Sequence, residues 1–386
     1  MITAVRRHMP PLDAVRGVAV LLVLAHNFDV VVVTGHVSAG LDAVMNLGWI
    51  GVQLFFVLSG FLITGILLDT LGAKNYYRAF FARRTLRIFP LYYAVLAFGF
   101  GLLPLLTEVP PGHGRHQGWL WAYLTNWVEP FGRGEPAFPH FWSLAVEEQF
   151  YLLWPIVVHR MSARGVVRLS ASLLVVVPFV RVLCRSQWGT EAAYTFTICR
   201  MDALAMGAML AAALRDPVWS AYVRRMVALI VARVRWPRML LLGLFVGLVV
   251  VTRGLPRAGV LSQSFGYSVL AALCVGWIGV EVFTWSQPNQ APPPPRAPVG
   301  SALARGLRSV GKYSYAMYVF HAPLHFFVGK PMLAGLTQGH APALWLAVGY
   351  AVVATAASFV MAVVSFWVLE KPFLHLKERF VAARSA

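Results

Sequence analysis

The chain has 386 residues, of which 59% are hydrophobic and only 12% charged, and its mean hydropathy is +0.67. A soluble domain carries about 25% charged residues, so this composition excludes a water-soluble globular protein. The 33 Lys and Arg against 15 Asp and Glu give a formal charge of +18, and their distribution between apolar runs marks membrane topology rather than a nucleic-acid surface.

Apolar runs of about 20 residues recur along the chain. They predict an all-α, polytopic membrane protein with ten spanning segments: 12–33, 48–70, 88–107, 142–159, 166–185, 196–214, 238–252, 263–284, 309–328 and 342–369. With the N-terminus inside, the segments 1–16, 70–87, 159–168, 215–238, 285–312 and 371–386 hold 25 of the 33 Lys and Arg. That bias predicts both termini in the cytoplasm.

The first run follows Arg6 and Arg7 and is long enough to span, so it reads as an uncleaved helix rather than a signal peptide. Within it, Asp13 and Arg16 lie three apart and share a helical face. They read as a cap, an ion pair and a topology signal at the inner end, or Arg16 belongs to a functional site. His26 lies ten residues further on, about 15 Å deeper at 1.5 Å per residue. A lone buried histidine ordinarily packs; an inner arginine and a deep histidine on one helix point to a site. In the second run, "VLSGFLITG" (57–65) supplies small residues for close helix packing.

"RAFFARRTLRIFPLYY" (78–93) opens the third run. Arg83, Arg84 and Arg87 have helical spacing, with Arg87 on a face with each of the others. The cluster is a positive-inside anchor or a clamp for an anion, since guanidinium groups bind phosphate oxygens bidentately. The aromatic stretch "GWLWAYLTNWV" (118–128) is too short to span and predicts an interfacial or re-entrant helix.

"FWSLAVEEQFYLLWP" (141–155) reads as a membrane helix, yet carries Glu147 and Glu148. A carboxylate in mid-membrane costs about 2.5–3.5 kcal/mol on insertion scales. Ser143, Glu147, Tyr151 and Trp154 fall on one helical face, while Glu148 points about 100° away. One glutamate is therefore expected to line a polar site, and the other to pair with a basic residue of a neighbouring helix. Glu147 is the candidate for the first role and Glu148 for the second, with Arg200 as its partner.

"CRMDALAMG" (199–207) brings Arg200 and Asp202 into the sixth run as partners for those glutamates. Cys184, Cys199 and Cys274 form no CxxC pair, so neither a disulfide framework nor a metal site is expected. "SQPNQAPPPPRAPVGS" (286–301) is expected to be a proline-dense cytoplasmic linker inside one integral-membrane domain, 1–386, and no appended soluble domain is expected. "YSYAMYVFHAPL" (313–324) places His321 in the outer half of the ninth run.

Sorted by depth, the basic groups gather at the cytoplasmic mouth, His26 lies midway, and the carboxylates lie toward the outside with His321. A histidine in reach of a carboxylate is general-base machinery for an alcohol nucleophile.

Together these segments resemble the integral-membrane acyltransferase 3 family. "LDAVRG" with the following His26, "GVQLFFVLSGFLIT", the RxxR of Arg84 and Arg87 before "IFPLYY", "FWSLAVEEQFYLLWP", "YSYAMYVFHAPL" and the closing "LEKPF" (369–373) look like family blocks in the family's order. The likeness runs from about Leu12 to Phe373. It implies transfer of an acyl group, expected to be acetyl, from cytoplasmic acyl-CoA to a hydroxyl of a cell-surface glycan or other glycosylated acceptor. By the resemblance His26 is the catalytic histidine, Arg84 and Arg87 are the RxxR pair, Arg16 is the first-helix arginine, and Glu147 and Glu148 are the acidic pair.

On this reading acyl-CoA is a donor substrate held by Arg16, Arg83, Arg84 and Arg87, and no cofactor is bound permanently. His26 and Glu147 carry the chemistry, with Glu148, Ser143, Tyr151, Arg200, Asp202 and His321 in support. The expected partners are the lipid bilayer of the plasma (inner) membrane, acyl-CoA, the glycan, and export or glycan-assembly proteins. The rival class is a proton-coupled transporter that uses the intramembrane His and Glu as a relay. A scaffold docked through the proline-rich linker is a weaker third.

Overall fold

The computed structural model describes residues 9–28, 45–233, 236–286, 299–338 and 343–382. The described residues are predominantly helical and contain no strand. This is the economical solution in lipid, where each helix satisfies its own backbone hydrogen bonds. The proline-rich stretch 287–298 and the last residues of the first run, 29–33, lie outside the described residues.

Five helices are long and apolar enough to cross a membrane: Leu47–Asp69, Tyr76–Leu106, Ala163–Thr195, Ser262–Trp285 and Leu344–Arg379. The remaining expected spans are different. The run 196–214 yields only Met201–Ala213, because Phe196 is extended and Thr197–Cys199 form a 3₁₀ turn. The run 238–252 gives the 15-residue helix Pro237–Val251. Both fall short of the ~20 residues that cross a bilayer unaided. The run 309–328 is divided between Val299–Lys312 and Ser314–Leu324. The stretch 118–128 forms two four-residue turns, Gly118–Trp121 and Thr125–Val128, separated at Tyr123, whose φ is 54°.

The chain divides into two compact units: Met1–Ala19, Ile50–Leu71 and Phe150–Lys312 form the first, and Val20–Trp49, Gly72–Gln149 and Tyr313–Ala386 the second. Two helices run through the division, α1 (Pro10–Asn27) and, after α2 (Ile50–Asp69) and α3 (Tyr76–Ala97), α4 (Phe141–His159).

In the first unit α6 (Met201–Ala213) packs on both α2 and α5 (Ala163–Thr195), and it meets α2 through small residues. A Cβ at Gly60 would lie 1.9 Å from the Leu204 carbonyl oxygen, and one at Gly207 would lie 1.9 Å from that of Val57. Only glycine permits so close an approach, as "VLSGFLITG" leads one to expect. Polar side chains clasp the interior: Tyr151 donates to Ser59 Oγ at 3.1 Å, Trp154 Nε1 to Thr64 Oγ1 at 2.8 Å, and Gln53 Nε2 to the Tyr267 carbonyl at 2.9 Å.

In the second unit the core is α3, the start of α4, α7 (Ser314–Leu324) and α8 (Leu344–Ser365). The loop between α3 and α4 is tied down by Glu135, which is buried and accepts from the backbone amides of Gly114 at 3.1 Å and His116 at 2.5 Å.

Candidate functional site

The second unit gathers most of the predicted polar residues. Its cations include three arginines of the first half of α3. Arg83, Arg84 and Arg87 all act electrostatically on Lys377, so four positive groups converge there. Like charges gather at a cost unless anions answer them. Two carboxylates do: Arg84 acts on Glu148, and Arg87 on Glu370. Glu370 also accepts from Ser365 at 3.5 Å, and Arg83 donates to the Phe380 carbonyl at 3.4 Å. Within this unit, the charges that act on Glu148 are those of Glu147 and Arg84. Helical periodicity shows which way Glu148 points along its own helix, but not which helix it meets.

Around Glu148 stands a group of tyrosines that sequence reasoning did not single out. Tyr92, Tyr93, Tyr123 and Tyr315 each feel its charge. Tyr92 and Tyr123 stack with ring centroids 4.1 Å apart, and Tyr315 donates to the Ile88 carbonyl at 2.7 Å. Burial pushes the Tyr123 hydroxyl far above its ordinary range, and Tyr315 and Glu148 add to the shift, so it stays protonated. The signal was present in "IFPLYY", one turn after the RxxR, and in "YSYAMY".

A second polar group surrounds the end of α1. His26 and Asn27 are half-buried there, and Phe28 is fully buried. Gly48 packs against this turn: a Cβ would meet Leu22 O at 2.1 Å and His26 Cβ at 2.7 Å. Asn27 Nδ2 donates to His321 Nε2 at 2.8 Å, and His321 Nδ1 lies 2.7 Å from the Tyr318 carbonyl. The rings of His140 and His321 meet edge-on, centroids 4.5 Å apart. Ser143, at the start of α4, lies 2.5 Å from the Tyr318 hydroxyl and 3.2 Å from the His140 carbonyl. Burial holds His140 well below its ordinary pKa, His321 adds to the shift, and the Tyr318 and Val319 backbone opposes it.

The same unit contains an apolar cavity of about 660 Å³, lined by Leu91, Phe98, Phe138, Phe327, Val360 and Leu369 among others, with Ser365 its one polar residue. Such a lining suits hydrocarbon and excludes a sugar or a phosphate.

The remaining predicted residues belong to the first unit. Asp13 and Arg16 form the expected i, i+3 ion pair at 3.6 Å. Asp202 does not serve the glutamates: it pairs with Arg181 in a fully buried salt bridge and accepts from Ser268 at 2.6 Å. Arg200 likewise lies over aromatic rings, 5.4 Å from Phe56, 5.0 Å from Tyr194 and 4.6 Å from Tyr267. Both belong to the packing of that unit, where cation–π contact and a paired carboxylate offset the burial of charge. Tyr151 is engaged with Ser59, as described above. The three cysteines are buried free thiols.

A family model described as an acyltransferase domain matches residues 10–363. Among curated relatives, a putative peptidoglycan O-acetyltransferase, YrhL of Bacillus subtilis, is 34% identical over 186 residues, 44% of this chain and 27% of the relative. The O-acetyltransferase OatA of Staphylococcus aureus is 29% identical over 232 residues, 53% of this chain and 34% of the relative. The peptidoglycan O-acetyltransferase OatA of Listeria monocytogenes is 33% identical over 166 residues, 39% of this chain and 24% of the relative. The chain thus spans about a quarter to a third of the length of these relatives. No solved structure matches it.

Proposed function

The chain belongs to the acyltransferase 3 family, the match covering nearly its whole length, and from that premise we propose that it is a membrane O-acyltransferase. It moves an acetyl group from cytoplasmic acyl-CoA to a hydroxyl of a cell-surface glycan or another glycosylated acceptor. The observation that carries the reading is the family match together with one grouping: His26, the three arginines of α3 and both glutamates of α4 lie in one compact unit. Peptidoglycan, named for two of the relatives, is the first acceptor to try.

In this mechanism the donor phosphates rest on Arg84 and Arg87, with Arg83 in support. His26 takes the proton of the acceptor hydroxyl, whose oxygen attacks the thioester carbonyl. The C–S bond breaks, the ester forms, and the proton leaves with the thiolate as free CoA thiol. Glu147 orients the imidazole and stabilises its charged form; Glu148, beside Arg84, is the structural partner. Exchange of a thioester for an ester runs downhill, so no ion gradient is required. The plasma (inner) membrane, ten crossings and cytoplasmic termini complete the proposal, the shorter helices crossing with help from their neighbours.

The rival proton relay is weakened by His321, whose two ring nitrogens are both engaged. The experiment is transfer of labelled acetyl from acetyl-CoA in membranes holding the full chain. His26→Ala is expected to abolish transfer at equal protein level, and Arg84→Ala/Arg87→Ala to remove saturable acetyl-CoA binding. Transfer by His26→Ala at most of the wild-type rate refutes the role of His26; uptake driven by protons without CoA would favour the carrier.

A further inference from the structure

The second unit holds a continuous hydrogen-bonded path that the mechanism above leaves unused. It starts at the N-terminus of α4, where the Tyr318 hydroxyl lies 2.9 Å and the Ser143 hydroxyl 3.2 Å from the His140 carbonyl and the two lie 2.5 Å apart, so that one donates to the carbonyl and the other to its neighbour. It passes one turn along α7, from the Tyr318 carbonyl to His321 Nδ1 at 2.7 Å. It ends on α1, where Asn27 meets His321 Nε2 at 2.8 Å. Its two ends are the segments that carry Glu147 and His26.

The chemistry of the path assigns its protons. A carbonyl oxygen only accepts, so His321 Nδ1 carries the hydrogen. In a neutral ring Nε2 is then a bare acceptor, and the Asn27 amide fills it. His321 is fully buried. Moving its proton to Nε2 would set two donors face to face at Asn27 and give up the Nδ1–H bond to the Tyr318 carbonyl, and the unmet donors are a costly loss in the interior. The ring therefore works as a fixed two-ended connector.

We propose that His321 and Tyr318 are positioning residues: they hold the His26 end of α1 against the glutamate-bearing start of α4, through Asn27 and Ser143, and His321 carries no proton during transfer. The proposal rests on the reading of His26 as the base. The last turn of a helix lacks part of its own hydrogen bonding, and His26 sits in such a turn. A misplacement of about 1 Å costs about 100-fold in rate, so a side-chain tie one residue away governs the chemistry without touching substrate.

The test uses the full chain, purified in detergent and reconstituted into vesicles, with labelled acetyl transfer read as kcat, KM for acetyl-CoA and pH profile. His321→Ala is expected to lower kcat about 100-fold with KM for acetyl-CoA unchanged. His321→Gln restores an acceptor where Nε2 stood and should recover at least tenfold of that loss on the wild-type pH profile, about half of it on a logarithmic scale. Asn27→Asp sets a carboxylate against the bare nitrogen and should lose as much as His321→Ala. The double variant Asn27→Asp/His321→Gln lets the glutamine amide donate to the carboxylate, and transfer should rise well above that of Asn27→Asp alone.

Variants are compared at equal monodisperse yield, and the double variant against Asn27→Asp keeps the test decisive should His321→Ala fail to fold. The positioning role is overturned if His321→Gln is as inactive as His321→Ala, if it loses an inflection of the pH profile, or if the double variant does no better than Asn27→Asp. Wild-type transfer by His26→Ala would instead sink the reading of His26. An inactive His26→Ala beside fully active Asn27→Asp and His321→Ala would sink the positioning role alone.

Discussion

Asn27 and His321 lie 294 residues apart in sequence and meet at 2.8 Å, amide to imidazole nitrogen. Asn27 adjoins the histidine expected to do the chemistry, and His321 adjoins nothing else in the predicted site by sequence. Their bond connects the first helix of the chain with a helix near its end, inside one compact unit.

Asn27→Ala strips the donor from a buried ring nitrogen. The unpaired acceptor should cost about 1–3 kcal/mol. Thermal denaturation of the purified protein in detergent should show a lowered midpoint, while Asn27→Gln, which keeps an amide on a longer stem, should lose less.

In the first unit, Asp202→Asn leaves the fully buried Arg181 facing a neutral amide. Breaking a buried pair from one side costs about 3–5 kcal/mol. Asp69→Asn offers the contrast: its partner Arg215, at 2.8 Å, is partly exposed, and exposed pairs are worth about 1 kcal/mol or less. Denaturation should separate the two variants clearly; equal midpoints would contradict a structural role for Asp202.

Glycines divide in the same way. Gly60→Ala places a methyl 1.9 Å from the Leu204 carbonyl oxygen, so α2 and α6 must move apart, at about 1–3 kcal/mol. Gly243, on the helix Pro237–Val251, has open space where a Cβ would stand. Gly243→Ala should be neutral or stabilising, because alanine favours the helix. A midpoint lowered equally in both variants would mean that the α2–α6 approach is looser than described.

The pH dependence of stability should carry the mark of His140. Burial holds its folded pKa well below the ordinary value near 6.5, so the unfolded chain takes up a proton that the folded chain refuses. Stability from this group is therefore full above about pH 6.5 and falls as the pH drops from there toward the folded value. Midpoints measured between pH 7.5 and 5.5 should fall less in His140→Asn than in the wild type. Parallel curves would mean that His140 titrates normally.

Much of the candidate site was legible along the chain. Helical spacing put Arg84 and Arg87 on one face, joined Asp13 to Arg16, and separated Glu147 from Glu148. The small residues of "VLSGFLITG" announced the close α2–α6 crossing. The spans were less legible, because hydropathy reports apolar length but not where backbone turns break it, as at Tyr313 and at Phe196–Cys199.

By itself, then, the sequence determined an all-helical membrane chain, the faces of its helices, and the family to which its blocks belong. These are properties of composition and of neighbours within a few turns. Only the tertiary structure decided the partners: Arg181 with Asp202, and Asn27 with His321. The physical reason is that a helix repeats every 3.6 residues whatever it packs against. Periodicity gives the direction of a side chain about its own axis, whereas the group it meets is set by packing between segments hundreds of residues apart.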